Sequence, residues 1–304
     1  MLKDFKAIAA EYDAEILFDC GMSSFTSFKI GGNADVLIKA NCEELIVEVA
    51  RACALKNIPL YVVGKGSNLL ICDEGLRGVV LVLSSAFSQV CVEGVLLSCS
   101  AGVLLSKLCQ VACEHSLKGL EFAYGIPGTA GGALFMNAGA YGGEMKDVIL
   151  SARFLDVNDG KIKELSAAEM DLSYRHSCFN SGNNIILSLC IRLEKGEQAE
   201  IKAKMDEIMK KRQDKQPLEY PSAGSTFKRP PGSYASLLIE QCGLKGREVG
   251  GAQVSRKHSG FIINKGNASF NDVVGLIKIV KDEVFSKTGV GLECEVKIVD
   301  NCQL

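Results

Sequence analysis

Short apolar segments alternate with amphipathic stretches along the chain, which is the pattern of a protein built from both strands and helices. Runs rich in Val, Ile and Leu, bounded by Gly, Asn and Asp, predict short strands. The predicted strands are 34–39, 60–63, 69–72, 79–83, 95–100, 148–156, 184–193, 260–264 and 292–299. Short strands mixed with helices predict an α+β fold.

Apolar residues at helical spacing, together with capping residues, predict the helices. The predicted helices are 1–18, 42–56, 103–116, 197–212, 233–243 and 270–287. We expect Asn41 to cap the second helix, with Glu44 completing a capping box, and Ser269 to cap the last one.

Near Gly196 the chain changes from short strand-like runs to a charged segment with helical spacing, 197–212. The segment 215–232 holds four of the six prolines and is predicted to be a loop. A loop of this length inside a compact domain is usually functional. We therefore predict a larger domain at 1–196 and a smaller α/β domain at 197–304.

The composition is that of an ordinary globular protein, with 47% hydrophobic and 23% charged residues and a net charge of −2. No block of like charge marks a nucleic-acid surface. The apolar runs are far shorter than the ~20 residues of a membrane helix. The N-terminal segment mixes charges with apolar residues and lacks the apolar core of a signal peptide. We expect a cytoplasmic protein without nucleic-acid or membrane partners.

Thirteen cysteines are present, and none forms a C-x-x-C pair or a cluster with zinc spacing. Cys109 and Cys113 lie four residues apart on a predicted helix, where they could hold a metal. We favour the simpler interpretation that the cysteines are small hydrophobic residues of a cytoplasmic protein. No metal site is predicted.

The most distinctive segment is 125–144, which contains seven Gly and four Ala. Gly permits a positive φ and brings main-chain N–H groups close to a ligand, so this run suits a diphosphate. A second glycine element, 64–68, follows a predicted strand. It has neither the dinucleotide fingerprint nor the P-loop spacing. The two elements suggest loops that converge on one diphosphate; the alternative is a packing turn of small residues.

Three side chains outside the glycine elements are candidates for chemistry. Ser225 follows a Gly, but its surroundings do not match the G-x-S-x-G elbow of a hydrolase, and it could be an ordinary turn serine. Arg175 offers a fork for a carboxylate or phosphate, or else a surface salt bridge. Glu295 lies on the polar face of the last predicted strand, where Glu293 competes with it for any role.

Six segments, taken in this order, resemble the UDP-N-acetylenolpyruvoylglucosamine reductases, flavoenzymes of bacterial peptidoglycan synthesis. The segments are 26–32, 64–68, 125–144, 174–177, 224–230 and 292–296. The resemblance runs nearly end to end, and the long loop before Gly224 is similar to the shorter subfamily. Phe25 stands where Asn is common, Lys29 where Arg is common, and Arg229 where some members have Asn.

The resemblance implies an FAD-binding domain of the vanillyl-alcohol-oxidase (PCMH) type in two lobes, roughly 1–56 and 57–196, followed by a C-terminal substrate domain. It implies that NADPH reduces UDP-N-acetylglucosamine enolpyruvate to UDP-N-acetylmuramate through FAD. The only partner implied is this small-molecule substrate.

The resemblance also implies roles for individual residues. The implied catalytic residues are Arg175, Ser225 and Glu295, with Ser225 as the proton donor to C2 of the enolpyruvyl group. The implied substrate contacts are Tyr174, Lys215 and Arg229. The implied cofactor contacts are Gly64, Lys65, Gly66, Ser67, Asn68, Leu69, Gly125, Ile126, Pro127, Gly128, Thr129, Gly131, Gly132, Ala138 and Ala140.

Two other functions are compatible with such a fold. One is a flavin oxidase that uses O2, although many of these tether FAD through His or Cys and no His lies in either glycine element. The other is a non-catalytic sensor of sugar nucleotides, against which the joint presence of Arg175, Ser225 and Glu295 argues.

Overall fold

The chain forms two compact units. The computed structural model describes residues 3–83, 85–182 and 184–300. The first unit comprises the described residues of Met1–Phe18, Val36–Lys65 and Gly78–Lys211; the second comprises those of Asp19–Asp35, Gly66–Arg77 and Arg212–Leu304. Each unit has its own hydrophobic core. The domain boundary near residue 196 is drawn from sequence and stays a prediction.

Helices and strands are mixed along the described chain. The helices are α1 Lys3–Glu11, α2 Glu43–Lys56, α3 Leu105–Glu114, α4 Ala130–Phe135, α5 Gln198–Lys215, α6 Ala235–Gln241 and α7 Phe270–Thr288. The first ten strands are β1 Ile16–Gly21, β2 Asn33–Ala40, β3 Leu60–Val63, β4 Leu69–Ile71, β5 Leu76–Leu83, β6 Val90–Glu93, β7 Leu96–Ser100, β8 Leu117–Lys118, β9 Gly139–Ala140 and β10 Gly143–Glu144. The others are β11 Ile149–Asp156, β12 Lys161–Ser166, β13 Asn184–Arg192, β14 Glu194–Lys195, β15 Ser222–Ser225, β16 Glu248–Val249, β17 Ala252–Val254, β18 Phe261–Asn264 and β19 Lys297–Val299.

Two sheets organise the core around α2 and α3. One has the strand order β1-β2-β5-β3, with β3 and β5 parallel. The other is antiparallel, in the order β12-β11-β13-β7-β6. The alternating apolar residues of β2 and the apolar face of α2 are buried together, as the spacing predicts. Burial of this kind contributes about 25 cal/mol per Å2 of apolar surface.

The second unit is built on a four-stranded antiparallel sheet in the order β15-β18-β17-β16. A separate parallel pair joins β19 to β4. Helix α7 buries Val273, Leu276, Ile277, Val280 and Val284 in the core of this unit. Its N-cap is Ser269, whose side chain accepts from Asp272 N in a capping box, so the predicted cap is confirmed.

The predicted N-terminal helix is too long. Helix α1 ends at Glu11, Asp13 has a φ of +50°, and β1 begins at Ile16; residues 1 and 2 of the predicted helix lie outside the described residues. The prediction that Asn41 caps α2 is also wrong. Its side-chain amide donates to Tyr12 O at 2.8 Å, and Cys42 occupies the N-cap position. The contact with Tyr12 uses the Nδ2 donor of Asn41, whereas an N-cap needs Oδ1 to accept from a main-chain N–H of the first helical turn.

Other elements are shorter than predicted or were not predicted. The last strand covers only Lys297–Val299, although Leu292 and Val296 are buried and Glu293 is exposed, as the alternation predicts. The predicted loop 215–232 contains β15. The glycine-rich run contains α4, a six-residue helix that its composition disfavours.

Within residues 3–83, 85–182 and 184–300, no helix is long and apolar enough to cross a bilayer. The same ranges hold no group of three or more Cys, His, Asp or Glu side chains that could bind a metal ion. Burial raises the pKa of the thiols of Cys53 and Cys99 to about 12, so both stay protonated at neutral pH. These two cysteines behave as the small hydrophobic residues expected.

Candidate active site

Ser225 lies at the end of β15, where the strand pairing is irregular. Ser222 pairs with Ile263 and Ser225 with Phe261, with a shift of register between them. Gly224 has a φ of +77°, a conformation that L-residues rarely adopt. Such a bulge bends a strand and redirects the side chain that follows. The half-buried Ser225 is therefore presented by a local distortion that depends on the preceding glycine.

Glu295 is held beside the segment that carries Ser225. Its main-chain N donates to Thr226 O at 2.9 Å, and Phe227 forms an antiparallel bridge with Cys294. Thr226 is buried, and its hydroxyl accepts from Ile262 N at 3.1 Å. The structure thus brings Ser225 and Glu295 onto adjoining main chain within the second unit.

The competing carboxylate, Glu293, is engaged elsewhere. It forms an ion pair with Lys228, and its side chain is 72% exposed. Glu295 is half-buried by comparison. Of the two carboxylates that precede β19, Glu293 is therefore the more exposed.

The side chain of Asn68 provides a second support for Glu295. Its amide Nδ2 donates to Glu295 O at 3.1 Å, while its main-chain O accepts from Lys297 N at 2.9 Å. These bonds lie next to the parallel pairing of β4 with β19, which begins at Leu69 and Lys297. Asn68, implied as a cofactor contact, therefore also fixes the main chain of the carboxylate residue.

Ser27 links the second glycine element to β15. Its main-chain N donates to Gly66 O at 3.2 Å and its hydroxyl donates to Ser222 O at 2.6 Å. The sequence of 26–32 predicts no role beyond the family resemblance. The signal available there was a run of hydroxyl and glycine residues, which does not by itself reveal a bond to residues far along the chain.

Arg175 belongs to the first unit and lies in a tight turn. Ser173 and His176 exchange main-chain hydrogen bonds of 3.2 and 3.0 Å around Tyr174 and Arg175. Arg175 has a φ of +56°, and its Nη2 donates to Gly139 O at 3.3 Å. Its guanidinium carbon lies 4.9 Å from the centre of the Tyr174 ring. A half-buried arginine in a left-handed conformation is a strained feature of the kind that functional sites retain.

The two glycine elements meet within the first unit. A Cβ on Gly64 would lie 2.4 Å from the hydroxyl of Thr129, so only glycine permits this approach. In the second unit, Gly66 has a φ of +63°, and a Cβ there would lie 2.1 Å from Phe25 O. The contact of Gly64 with Thr129 brings the main chains of the two glycine elements close together, as a nest of N–H groups for the diphosphate of FAD requires. The residues present therefore fit this cofactor.

Part of the glycine-rich run serves packing instead. The N–H groups of Ala130, Gly131 and Gly132 donate to Val103 O, Ala101 O and the Thr129 hydroxyl. A Cβ on Gly131 would lie 2.7 Å from the Ala101 side chain. The expected open nest of donors therefore does not extend over these residues, and the packing alternative explains Gly131.

The implied substrate contacts lie in different units. Tyr174 belongs to the first unit and is 48% exposed. Lys215 is the exposed last residue of α5, and Arg229 lies with its guanidinium carbon 4.0 Å from the ring centre of Tyr234; both belong to the second unit. Their roles stay predictions.

His258 was assigned no role from sequence. Its ring Nδ1 accepts from Gly260 N at 3.2 Å, and Gly260 O accepts from Thr226 N at 2.8 Å. Burial lowers the pKa of His258 below its usual value, so the ring is neutral at pH 7. The neutral ring stabilises the turn before β18, the strand that pairs with Ser225.

Comparison with known proteins identifies the family. Residues 216–299 match the model described as UDP-N-acetylenolpyruvoylglucosamine reductase, C-terminal domain, and residues 34–166 match an FAD binding domain. A UDP-N-acetylenolpyruvoylglucosamine reductase from Clostridium novyi is 50% identical over 278 residues, 91% of this chain and 90% of the relative. The chain belongs to the UDP-N-acetylenolpyruvoylglucosamine reductase family.

Further relatives of this family agree. A reductase of the same name from Caldanaerobacter subterraneus is 52% identical over 278 residues, 91% of each chain. The crystal structure of a UDP-N-acetylenolpyruvylglucosamine reductase from Thermus caldophilus superposes with a TM-score of 0.81 at 33% identity, covering 94% of this chain and 99% of that one. The predicted family, the α+β fold with an FAD-binding domain, and FAD as the cofactor of an oxidoreductase are confirmed.

The glycine requirement at residue 66 can be tested with a matched pair of variants. Gly66 and Gly94 share a φ of +63°, but a Cβ on Gly94 meets nothing within 4 Å. Gly94→Ala should cost only the left-handed conformation, about 1–2 kcal/mol, and should keep FAD. Gly66→Ala carries the same strain plus displacement of the Phe25 main chain, so it should unfold at lower urea concentration and lose flavin absorbance on gel filtration. Equal unfolding midpoints and equal flavin content would contradict this account.

Proposed function

We propose that this chain reduces UDP-N-acetylglucosamine enolpyruvate to UDP-N-acetylmuramate in peptidoglycan synthesis, with NADPH as the reductant. The observation that carries the proposal is the hydrogen bond from Glu295 N to Thr226 O, which sets the implied proton donor and the implied acid on adjoining main chain. Bound FAD supplies the chemistry of hydride transfer from NADPH to C3 of the enolpyruvyl group.

Ser225 donates the proton to C2. Hydride addition at C3 breaks the C2–C3 π bond and leaves an electron pair on C2, shared with the carboxylate as an enolate. The Ser225 hydroxyl delivers a proton to this pair, so that one hydride and one proton saturate the double bond. Its position after the Gly224 bulge supports this role, since a distorted strand presents the side chain in a fixed direction.

Arg175 binds the enolpyruvyl carboxylate. A guanidinium fork matches two carboxylate oxygens, and its fixed charge stabilises the negative charge that grows during hydride transfer. The turn that holds Arg175 keeps the residue in a strained conformation, which supports a positioned rather than a mobile side chain.

Glu295 assists the protonation either as a neutral acid or by orienting a donor. An ionised carboxylate beside an enolate would repel it, so an unassisted anion is the wrong species for this position. The bond from Asn68 to the Glu295 carbonyl supports a fixed position for the main chain of this residue.

The remaining assignments complete the proposal. Residues 197–304 form the substrate domain, with Lys215 and Arg229 as substrate contacts, and Tyr174 contributes from residues 1–196. The cofactor contacts are those that the resemblance implies in the two glycine elements, apart from the N–H groups of Gly131 and Gly132, which donate to Ala101 O and to the Thr129 hydroxyl. We place the reaction in the cytoplasm, where the cysteines of such a chain stay reduced.

The role of Ser225 is tested by separating the two half-reactions. In Ser225→Ala, stopped-flow measurements should find fast flavin reduction by NADPH but slow reoxidation by the enolpyruvyl substrate. Loss of a general acid costs about 10²- to 10⁴-fold. Ser222→Ala removes a hydroxyl from the same strand and should leave both half-reactions near wild type. An equal fall of both half-reactions in Ser225→Ala would refute the proton-donor role.

The role of Glu295 is tested against its neighbour. Glu295→Gln should slow substrate reduction, because an amide cannot supply the proton that a neutral carboxyl group would supply. Glu293→Gln removes a charge from the same segment, and its exposed ion pair with Lys228 is worth at most about 1 kcal/mol, so this variant should behave like the parent. The measurement is the rate of the second half-reaction as a function of pH. Near-wild-type rates in Glu295→Gln would show that Glu295 has no catalytic role.

A further inference from the structure

Asn137 is a completely buried polar residue to which the proposed chemistry assigns no role. Its Nδ2 donates to Glu144 Oε2 at 2.7 Å and to Ser173 O at 2.9 Å. Its Oδ1 accepts from Lys146 N at 2.9 Å. A buried amide with partners on both of its polar atoms is fixed in one orientation, because rotation would break every bond.

One of these bonds leads directly to Arg175. Ser173 O, which accepts from Asn137, also accepts from His176 N and so closes the turn around Arg175. On the far side of the turn, the buried hydroxyl of Ser177 donates to Phe135 O at 2.7 Å. The turn is therefore anchored at both ends to the segment 135–139.

The backbone of both residues shows why such anchors are needed. Asn137 has a φ of +40° and Arg175 a φ of +56°. Asn tolerates the left-handed region better than most residues, but Arg does not. Conformations of this kind persist only where the surrounding contacts enforce them. The bond from Asn137 to Ser173 is such a contact for the turn of Arg175.

The third partner strengthens the anchor. Glu144 also forms an ion pair with Lys146 at 2.6 Å, so its carboxylate is held in place while it accepts from Asn137. A hydrogen bond to an ionised group is stronger than one between neutral groups. The carboxylate fixes one amide hydrogen, and the other amide hydrogen is thereby aimed at Ser173 O.

We propose that Asn137 is a positioning residue, whose amide holds the Ser173 carbonyl and so fixes the turn that presents Arg175 to the substrate carboxylate. This inference rests on the role proposed for Arg175. Asn137 acts through Arg175 and contacts no reacting atom, so its removal should matter only while Arg175 is present.

The test is a double-mutant cycle on the FAD-loaded enzyme. Binding of UDP-N-acetylglucosamine enolpyruvate is titrated to the oxidised enzyme without NADPH, by the change in flavin absorbance, so that no turnover is needed. Asn137→Gly deletes the amide while permitting the positive φ. It should weaken binding and slow the second half-reaction by about 10- to 100-fold, the scale of a misplaced binding group.

The decisive variant combines this change with Arg175→Ala. In that background Asn137→Gly should change binding less than about twofold, because coupled residues are non-additive. A full additional loss would overturn the proposal and leave Asn137 as a structural residue only. Wild-type binding and rates in Arg175→Ala alone would instead overturn the role of Arg175 in the proposed function, which is a separate result.

Two further variants serve as controls. Asn41→Ala removes a side-chain bond of 2.8 Å to a main-chain carbonyl in the same unit, and it should lower stability while leaving substrate binding unchanged. Should Asn137→Gly fail to retain FAD, Ser177→Ala takes its place in the cycle. It removes the other anchor of the turn and should show the same dependence on Arg175; independence from Arg175 would overturn the proposal.

Discussion

The hydrogen bond between Glu295 N and Thr226 O is the interaction on which the candidate chemistry of the second unit depends. It joins the segment that precedes β19 to the segment that follows β15, and the side chains of Asn68 and Ser27 add hydrogen bonds to Glu295 O and Ser222 O. Main-chain bonds suit this task because they hold a functional residue without using its side chain. The positions of Ser225 and Glu295 are therefore set by main-chain contacts of their own segments.

Glycine has two different uses in this chain, and composition alone does not separate them. Gly64 and Gly66 stand where a Cβ would collide with Thr129 or with the Phe25 main chain, so these glycines let loops approach each other closely. Gly131 instead permits α4 to pack against Ala101. Only the contacts of each position show whether a glycine serves the approach of loops or the packing of a helix.

Apolar spacing and capping residues predicted helices whose stabilising contacts lie close in sequence. Helix α7 and its Ser269 cap follow from spacing and from residues within one turn, so the sequence suffices for them. The assignment of Asn41 failed because its partner, Tyr12, lies 29 residues away. The positioning role proposed for Asn137 could not be predicted from the sequence for the same reason, because its partner Ser173 lies 36 residues away. From its local sequence alone, Ser225 could not be distinguished from an ordinary turn serine. The resemblance of six ordered segments to the family made it a candidate catalytic residue. The β-bulge before Ser225 and its pairing with β18 became evident only in the structure.

The most direct test of the proposed function is an anaerobic titration of the purified enzyme followed by flavin absorbance. One equivalent of NADPH should bleach the flavin, and one equivalent of UDP-N-acetylglucosamine enolpyruvate should then restore the oxidised spectrum. Mass spectrometry should find the product heavier than this substrate by two hydrogen atoms. A protein without flavin, or a reduced flavin that stays bleached until oxygen is admitted, would contradict the account.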